Sequence, residues 1–170
     1  MAAYIALLRA VNVGGTGKLP MTELKAMCEA AGFAKVKTYI ASGNVVFQSK
    51  LSEVRVKAIL EIALAVYAGK RVEVLVRTAS EMAAVLAANP FTNTAANRTM
   101  AIFLDKAPPA NALELATGRK DEEMRLGLRE IYVHYGEGMA DSKLKIPVAK
   151  TGTARNMNTV AKLAEMALAL

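Results

Sequence analysis

Val36-Lys37-Thr38-Tyr39-Ile40-Ala41-Ser42-Gly43-Asn44-Val45-Val46-Phe47 is the stretch on which the fold depends. Strand formers stand on both sides of a Ser-Gly-Asn cluster, and glycine and asparagine accept the positive φ that tight hairpins need. Val36–Ile40 and Val45–Phe47 therefore read as two strands joined at Ser42-Gly43-Asn44. Upstream, Leu24, Met27, Cys28 and Ala31 recur at helical spacing, with Thr22 as a cap and Gly32 as a stop. Before that helix, Tyr4–Arg9 is a short run of strand formers. Downstream, Ser52 is placed to cap a helix over Glu53–Ala68. That helix is apolar around much of its girth and is expected to be well buried. Val72, Val74 and Val76 then alternate within Arg71–Arg77, the pattern of a half-buried strand. The order strand, helix, strand, strand, helix, strand is the split βαβ arrangement of ferredoxin-like folds. Right-handed crossovers would make it a four-stranded antiparallel sheet with both helices on one face.

The remainder opens with a helix capped by Thr78 or Ser80 and ended by Asn89-Pro90. Met100–Leu104 reads as a strand. Pro108-Pro109 opens a short helical stretch over Ala110–Ala116, ended by Gly118. Met124–Leu128 and Ile131–Tyr135 read as strands, Pro147 rules out a continuous helix over Met139–Lys150, and a last helix runs from about Asn156 to Leu168. The expected class is α+β, with a ferredoxin-like subdomain over residues 1–77 and a second α+β subdomain over residues 78–170 packed against it. The two halves read alike in element order, without residue-by-residue repetition.

Composition narrows the function classes. Apolar residues make up 54% of the chain, yet no uninterrupted apolar run approaches the ~20 residues that span a bilayer. Met1–Tyr4 has neither the basic region nor the apolar core of a signal peptide, and a lone cysteine, Cys28, excludes an internal disulfide framework. The expectation is a cytoplasmic chain without a membrane partner. The formal net charge of +7 points to a phosphorylated ligand or nucleic acid, or simply to a solvated basic surface. The basic residues are dispersed, in pairs such as Lys35/Lys37, Lys70/Arg71 and Lys143/Lys145. Five tyrosines, four phenylalanines and no tryptophan make a poor stacking platform for single-stranded nucleic acid.

Three polar clusters stand at the edges of apolar runs. The first is Leu8-Arg9-Ala10-Val11-Asn12-Val13-Gly14-Gly15, the second is the Ser42-Gly43-Asn44 turn, and the third is Thr153-Ala154-Arg155-Asn156-Met157-Asn158-Thr159. The glycine loop that ends at Lys18 is no P-loop, because Asn12 and Leu19 occupy positions that need glycine and Ser/Thr. Pro20 likewise breaks the dinucleotide pattern. Consecutive backbone amides there are still suited to an anion. Arg155 beside a helix start is suited to one as well, and Lys143 with Ser142 joins it on the same reasoning. The opposing reading is that these clusters are turn and cap chemistry. Cys28 falls on an apolar helical stripe and reads as core, His134 reads as a structural strand residue, and Asp121-Glu122-Glu123 reads as a solvated acidic cluster. No metal-ligand spacing is present, and no catalytic triad.

At these same residues the chain resembles a widespread bacterial family, domain of unknown function 1697. The matching phrases are Leu8-Arg9 with Asn12–Gly15, Thr38-Tyr39 with Ser42–Asn44 and Phe47, Ser142-Lys143, and Thr153, Arg155, Asn156, Asn158 and Thr159. Met157 stands where the family usually has tryptophan, and Thr16-Gly17-Lys18 replaces a loop usually rich in lysine and asparagine. The resemblance implies a two-part α/β protein with a ferredoxin-like first half, and implies no known activity, substrate or catalytic residue; the cofactor is unknown. The functional expectation is a binding protein for a phosphorylated small molecule or nucleotide. Arg9, Asn12, Gly14, Gly15, Ser42, Asn44, Lys143, Arg155 and Asn156 would gather in a cationic cleft between the subdomains. The alternatives are an enzyme acting on an anionic substrate, with Arg155 and Lys143 stabilising charge, and a nucleic-acid-binding module.

Overall fold

The computed structural model describes residues 1–13, 18–92, 95–136 and 139–170. Its elements are β1 (Ala2–Leu8), α1 (Met21–Ala30), β2 (Ala34–Thr38), β3 (Asn44–Ser49), α2 (Glu53–Ala68), β4 (Val74–Thr78) and α3 (Ala79–Ala87), followed by β5 (Thr99–Phe103), β6 (Glu123–Leu126), β7 (Glu130–His134), β8 (Thr153–Asn156) and α4 (Met157–Leu168). By their contacts the residues form two units, Met1–Met82 with Leu163–Leu170, and Ala83–Lys162. The protein is of the α+β class, with two antiparallel four-stranded sheets.

In the first unit the strands lie in the order β2-β3-β1-β4. This is the strand order a split βαβ unit requires, because each crossover returns its strand to the far side of a neighbour. Tyr4, Ala6 and Leu8 of β1, Val45 and Phe47 of β3, and Val74 and Val76 of β4 share one apolar cluster with Leu24 and Cys28 of α1 and Val56, Leu60 and Leu64 of α2. The period-2 alternation of strands thus puts both helices on one face of the sheet. Phe33 stacks on Phe47 with ring centroids 4.4 Å apart. The alternate strand residues Ile5, Leu7, Val46 and Leu75 are buried as well, and Arg77 of β4 is buried on that same opposite face.

The helix termini are made largely by backbone geometry. Pro20, not Thr22, is the N-cap of α1, and its carbonyl accepts from Glu23 and Leu24. Proline has no N–H to lose and its fixed φ suits a helix entry. The exit is a Schellman motif, in which Gly32 donates to the Glu29 carbonyl and Phe33 to that of Cys28, with Gly32 at φ +87. Ser52 caps α2 by accepting from the Arg55 N–H, and Gly69 closes it in the left-handed conformation. Thr78 caps α3, since its hydroxyl accepts from the Glu81 N–H while the Glu81 carboxylate accepts from the Thr78 N–H. That reciprocal pair is a capping box. Helix α2 also fastens β4. Glu61 accepts the Val74 N–H at 3.0 Å, and Lys57 donates to the Val74 carbonyl while ion-paired with Glu61. The outward backbone N–H and C=O of Val74 on this edge strand are thereby satisfied.

In the second unit the order is β6-β7-β5-β8, the same permutation as in the first. The agreement extends to register. Ile5 pairs with Val46 and Arg77, and Ala101 pairs with Tyr132 and Arg155. Arg77 and Arg155 therefore occupy equivalent places in the two sheets. Each is followed by a helix cap, Thr78 and Asn156 respectively. The cores differ, because the second unit's apolar cluster (Ile102, Leu104, Ala112, Met124, Ile131, Val133, Ile146) is closed by irregular chain. Ala110–Ala116 forms consecutive turns instead of the expected helix. Residues 139–141 and 147–151 are 3-10 turns, the second opened by Pro147. Strand β8 lies where only a helix start was expected.

Two further expectations are corrected. Of α2, only Val56, Leu60 and Leu64 are buried, and the opposite row is open to solvent. Glu122, expected to be solvated, is 2% exposed. Cys28 is core as expected, and burial pushes its thiol up to about 12.

Candidate functional site

The first two polar clusters meet in the first unit. Asn12, at φ +54, donates from its amide to the carbonyls of Leu19 and Ala41, both at 2.8 Å, and accepts from the Leu19 N–H at 2.6 Å. Both amide hydrogens are thus used to hold the β1–α1 connection closed against the β2–β3 turn. Asparagine is among the few residues that tolerate this backbone conformation. Within the turn, buried Asn44 donates to the Tyr39 carbonyl and to the Ser42 hydroxyl, and the Tyr39 N–H donates to the Asn44 carbonyl. Gly43, at φ +93, accepts from the Leu8 N–H. A Cβ on Gly43 would lie 2.6 Å from Val11 and 2.9 Å from Leu8. Here the polar side chains build the shape of the loop. Gly14 and Gly15 lie outside the described residues.

Arg9 has another role. Its N–H extends the β1–β4 ladder to the Glu73 carbonyl, and the residue lines a cavity of about 210 Å³ with Ala10, Lys70, Arg71, Val72 and Glu73. A larger cavity of about 390 Å³ shares Ala10, Lys70 and Val72 with it and adds Val11, Lys18, Leu19, Leu64, Tyr67 and Ala68. The two adjoin at these shared residues and are together termed the groove of the first unit. It runs past the end of β1, the last turn of α2 and the segment leading to β4. Its floor is apolar, since Val11, Leu19, Leu64 and Val72 are buried. Lys18, Lys70 and Arg71 are exposed, and Tyr67 stands 45% exposed at the end of the helix. Four cationic residues against Glu73 make the groove electropositive.

The second unit holds the remaining expected residues, at separate places. Lys143 is exposed beside a cavity of about 320 Å³ that it lines with Gly118, Lys120, Asp121, Glu122, Asp141 and Ser142. Glu122 organises this corner. It accepts from the Ser142 hydroxyl at 2.5 Å and from the Lys120 N–H at 2.6 Å, while Arg119 donates to its backbone carbonyl. The Ser142 hydroxyl and then the backbone N–H groups hold its carboxyl down to about 2, outweighing the opposing effect of burial. Gly118, at φ +72, passes so close to the Lys143 carbonyl that a Cβ would overlap it. Three carboxylates beside two lysines make this corner mixed in charge.

Arg155 is buried in β8 and donates to the Thr153 hydroxyl at 2.7 Å and the Ala154 carbonyl at 2.9 Å. Burial lowers its guanidinium to about 10. Asn156 accepts from the Thr159 N–H at 2.9 Å and caps α4. Neither residue lines the cavities above. Thr99 and His134 share a hydrogen bond at 3.0 Å across β5 and β7. Among the described residues no group of three His, Cys, Asp or Glu side chains is placed to hold a metal ion, and no helix is long and apolar enough to cross a membrane.

The model of a family described as a protein of unknown function (DUF1697) matches residues 1–132. The chain belongs to the DUF1697 family. The match includes the whole groove and the Asn12 and Ser42-Gly43-Asn44 clusters. Among solved structures the chain is similar to the conserved bacterial protein SP0830 from Streptococcus pneumoniae, at 26% identity over 97% of this chain and 98% of that one, with a TM-score of 0.80. That likeness of fold covers nearly the whole of both chains and so extends beyond residue 132. No curated protein matches.

Lys18, Lys70, Arg71 and Tyr67 were not among the expected site residues. The Lys70/Arg71 pair is visible in the sequence as one of several dispersed basic pairs. Nothing local says that the helix exit at Gly69 aims it toward the end of β1, because that proximity is made by the β1–β4 pairing.

Proposed function

We propose that the protein binds a phosphorylated small molecule with an apolar or aromatic portion, a nucleotide being the simplest example, in the groove of the first unit. The observation that carries this reading is the pairing of a buried apolar floor with four cationic residues from three segments, Arg9, Lys18 and the Lys70-Arg71 pair. Ligand pockets are mostly apolar with a few polar groups that fix orientation. Arginine suits phosphate by its forked donors and lysine by its point charge. The corner at Lys143 is less suited to an anion, because Asp121, Glu122 and Asp141 line it.

A thermal-shift and calorimetric screen against nucleotides and sugar phosphates tests the reading. A ligand at 100 times its Kd stabilises the native state by about 2.7 kcal/mol. Lys18→Ala with Lys70→Ala is expected to weaken binding at least ~10-fold, since a charge-assisted hydrogen bond contributes about 1.5–3 kcal/mol. Stability without ligand is expected to stay unchanged because both lysines are exposed. Lys143→Ala is expected to bind as the parent does. Absence of a shift with every phosphorylated compound, or a shift lost in Lys143→Ala and kept in the double variant, rejects the groove. Nucleic acid is the second reading, favoured by the net charge of +7, and it predicts affinity falling steeply with salt.

A further inference from the structure

The backbone donors change partners abruptly at the end of β1. Leu8 donates to the Gly43 carbonyl and Arg9 to the Glu73 carbonyl, both at 2.9 Å. The next N–H groups, on Ala10, Val11 and Asn12, find no acceptor among the described residues. Val11 is buried, and a buried backbone N–H without a protein acceptor is rare. Backbone conformation singles out the same residues. Ala10 stands at φ +55 and Asn12 at φ +54, with Val11 between them outside the left-handed region. Alternation of this kind turns successive N–H groups toward one side and makes an anion-binding concavity. Left-handed backbone is costly for alanine, and such a cost persists only where the surrounding structure enforces it, often at ligand sites. Here Asn12 enforces it, since its side chain is fastened to Leu19 and Ala41. The place in the fold agrees, because Ala10 lines both cavities of the groove and Val11 lines the larger.

We propose that the N–H groups of Ala10, Val11 and Asn12 seat the phosphate of a phosphomonoester, whose ring occupies the larger cavity beside Leu64 and Tyr67. This assignment rests on the groove being the ligand site, and it names the class of ligand that the groove takes. Around the smaller cavity Arg9, Lys70 and Arg71 stand against Glu73. Three cations and one carboxylate leave a formal +2 there, which complements the charge of about −1.5 to −2 on a monoester near neutral pH. The monoester also keeps the most acceptor oxygens for main-chain amides and a guanidinium fork, and such charge-assisted hydrogen bonds are the strong ones. A phosphodiester offers fewer acceptor oxygens and less charge, so the backbone of a nucleic acid fits the same seat less well. The larger cavity supplies the remainder of the recognition. Leu19, Leu64 and Val72 line it, and Tyr67 stands at its edge, surfaces that suit a planar ring.

Proton–nitrogen NMR of the full chain tests this assignment, with inorganic phosphate, a nucleoside monophosphate and the cyclic phosphodiester of the same nucleoside as probes. The expected result is a downfield movement of the Ala10, Val11 and Asn12 amide protons with phosphate and with the monoester, the mark of hydrogen bonds to an anion. The diester is expected to bind at least ~10-fold more weakly. Replacing Val11 by its α-hydroxy acid turns that amide into an ester, which keeps the side chain and removes one donor. Monoester affinity is then expected to fall at least ~10-fold, while circular dichroism stays as in the parent. If the signals of Leu64, Tyr67 and Lys70 move with the monoester and the Ala10, Val11 and Asn12 amides do not, side chains alone hold the phosphate: the groove stands and this assignment falls. Equal affinity for monoester and diester overturns it, as does binding indifferent to the ester at Val11. If no groove signal moves with any probe, the groove reading itself fails and takes this assignment with it.

Discussion

At the residue scale, the most constrained positions serve shape. Gly43→Ala must place a Cβ against Val11 and Leu8 at a φ of +93. We expect a loss of about 2–4 kcal/mol, combining left-handed strain with overpacking, measured by urea unfolding. An unchanged midpoint would mean the turn can re-form elsewhere. Glu122 supplies a pH test. Its carboxyl is held at about 2 in the folded chain against an ordinary 4.5, so below 4.5 the unfolded state binds the proton more readily. The stabilisation is therefore complete above 4.5 and disappears as pH falls from there through 2. Thermal midpoints of the parent and Glu122→Gln should converge across that window, and parallel curves would contradict the assignment. Asn12, Gly43 and Asn44 were legible as a conspicuous polar pattern, but their partners were not. The sequence shows that Asn12 has donors, and only the fold shows that Leu19 and Ala41 take them. Glu122 was misread because an acid between two other acids looks solvated, and its partner Ser142 is twenty residues away.

At the element scale, legibility followed hydrophobic pattern. Strands β1 to β4 and helices α1 to α3 lie within a few residues of their expected positions because apolar period and stop signals agree there. Strand β8, Thr-Ala-Arg-Asn, has no apolar alternation, and its strand state comes from pairing with β5, which no local signal announces. The same four residues end in a cap, so the reading of Asn156 as a helix start was sound even though the strand before it went unseen. Ala110–Ala116 carried helical residues but is too short to hold a helix without packing support. Apolar content around α2 was read as burial, whereas it divides into an inner row on the sheet and an outer row in solvent. The repeated arginine-then-cap arrangement predicts similar costs in both units. Thr78→Ala and Asn156→Ala should each lose about 1 kcal/mol, seen as lower chemical-denaturation midpoints. A negligible loss at either would mean that its neighbouring hydroxyl or amide replaces the cap.

At the scale of the whole molecule, the two sheets share one strand permutation and equivalent pairings at Arg77 and Arg155, while the apolar cluster described for the second is closed by irregular chain where the first has α1 and α2. The likeness of the two halves in element order was legible, whereas the strand β8 that completes the second sheet was not. The helical backing gives the first unit the longer α2, whose end contributes Tyr67 and Lys70 to the groove. The eight residues Leu163–Leu170 group with the first unit, and Leu163, Ala164 and Ala167 among them are buried. Removing them should destabilise that unit by at least the roughly 2–3 kcal/mol of one buried leucine, visible as faster amide exchange in β1 to β4. Exchange at the parent rate would show that these residues are dispensable to the sheet. This grouping has a consequence for biosynthesis. A ribosome that has finished Met82 must still translate Ala83–Lys162 before the missing piece of the first unit exists, a delay of roughly 4–16 s at ordinary elongation rates. During that interval all four strands of the first sheet exist while the helical residues that complete its unit do not, and transiently uncovered apolar surface is the kind on which aggregation starts.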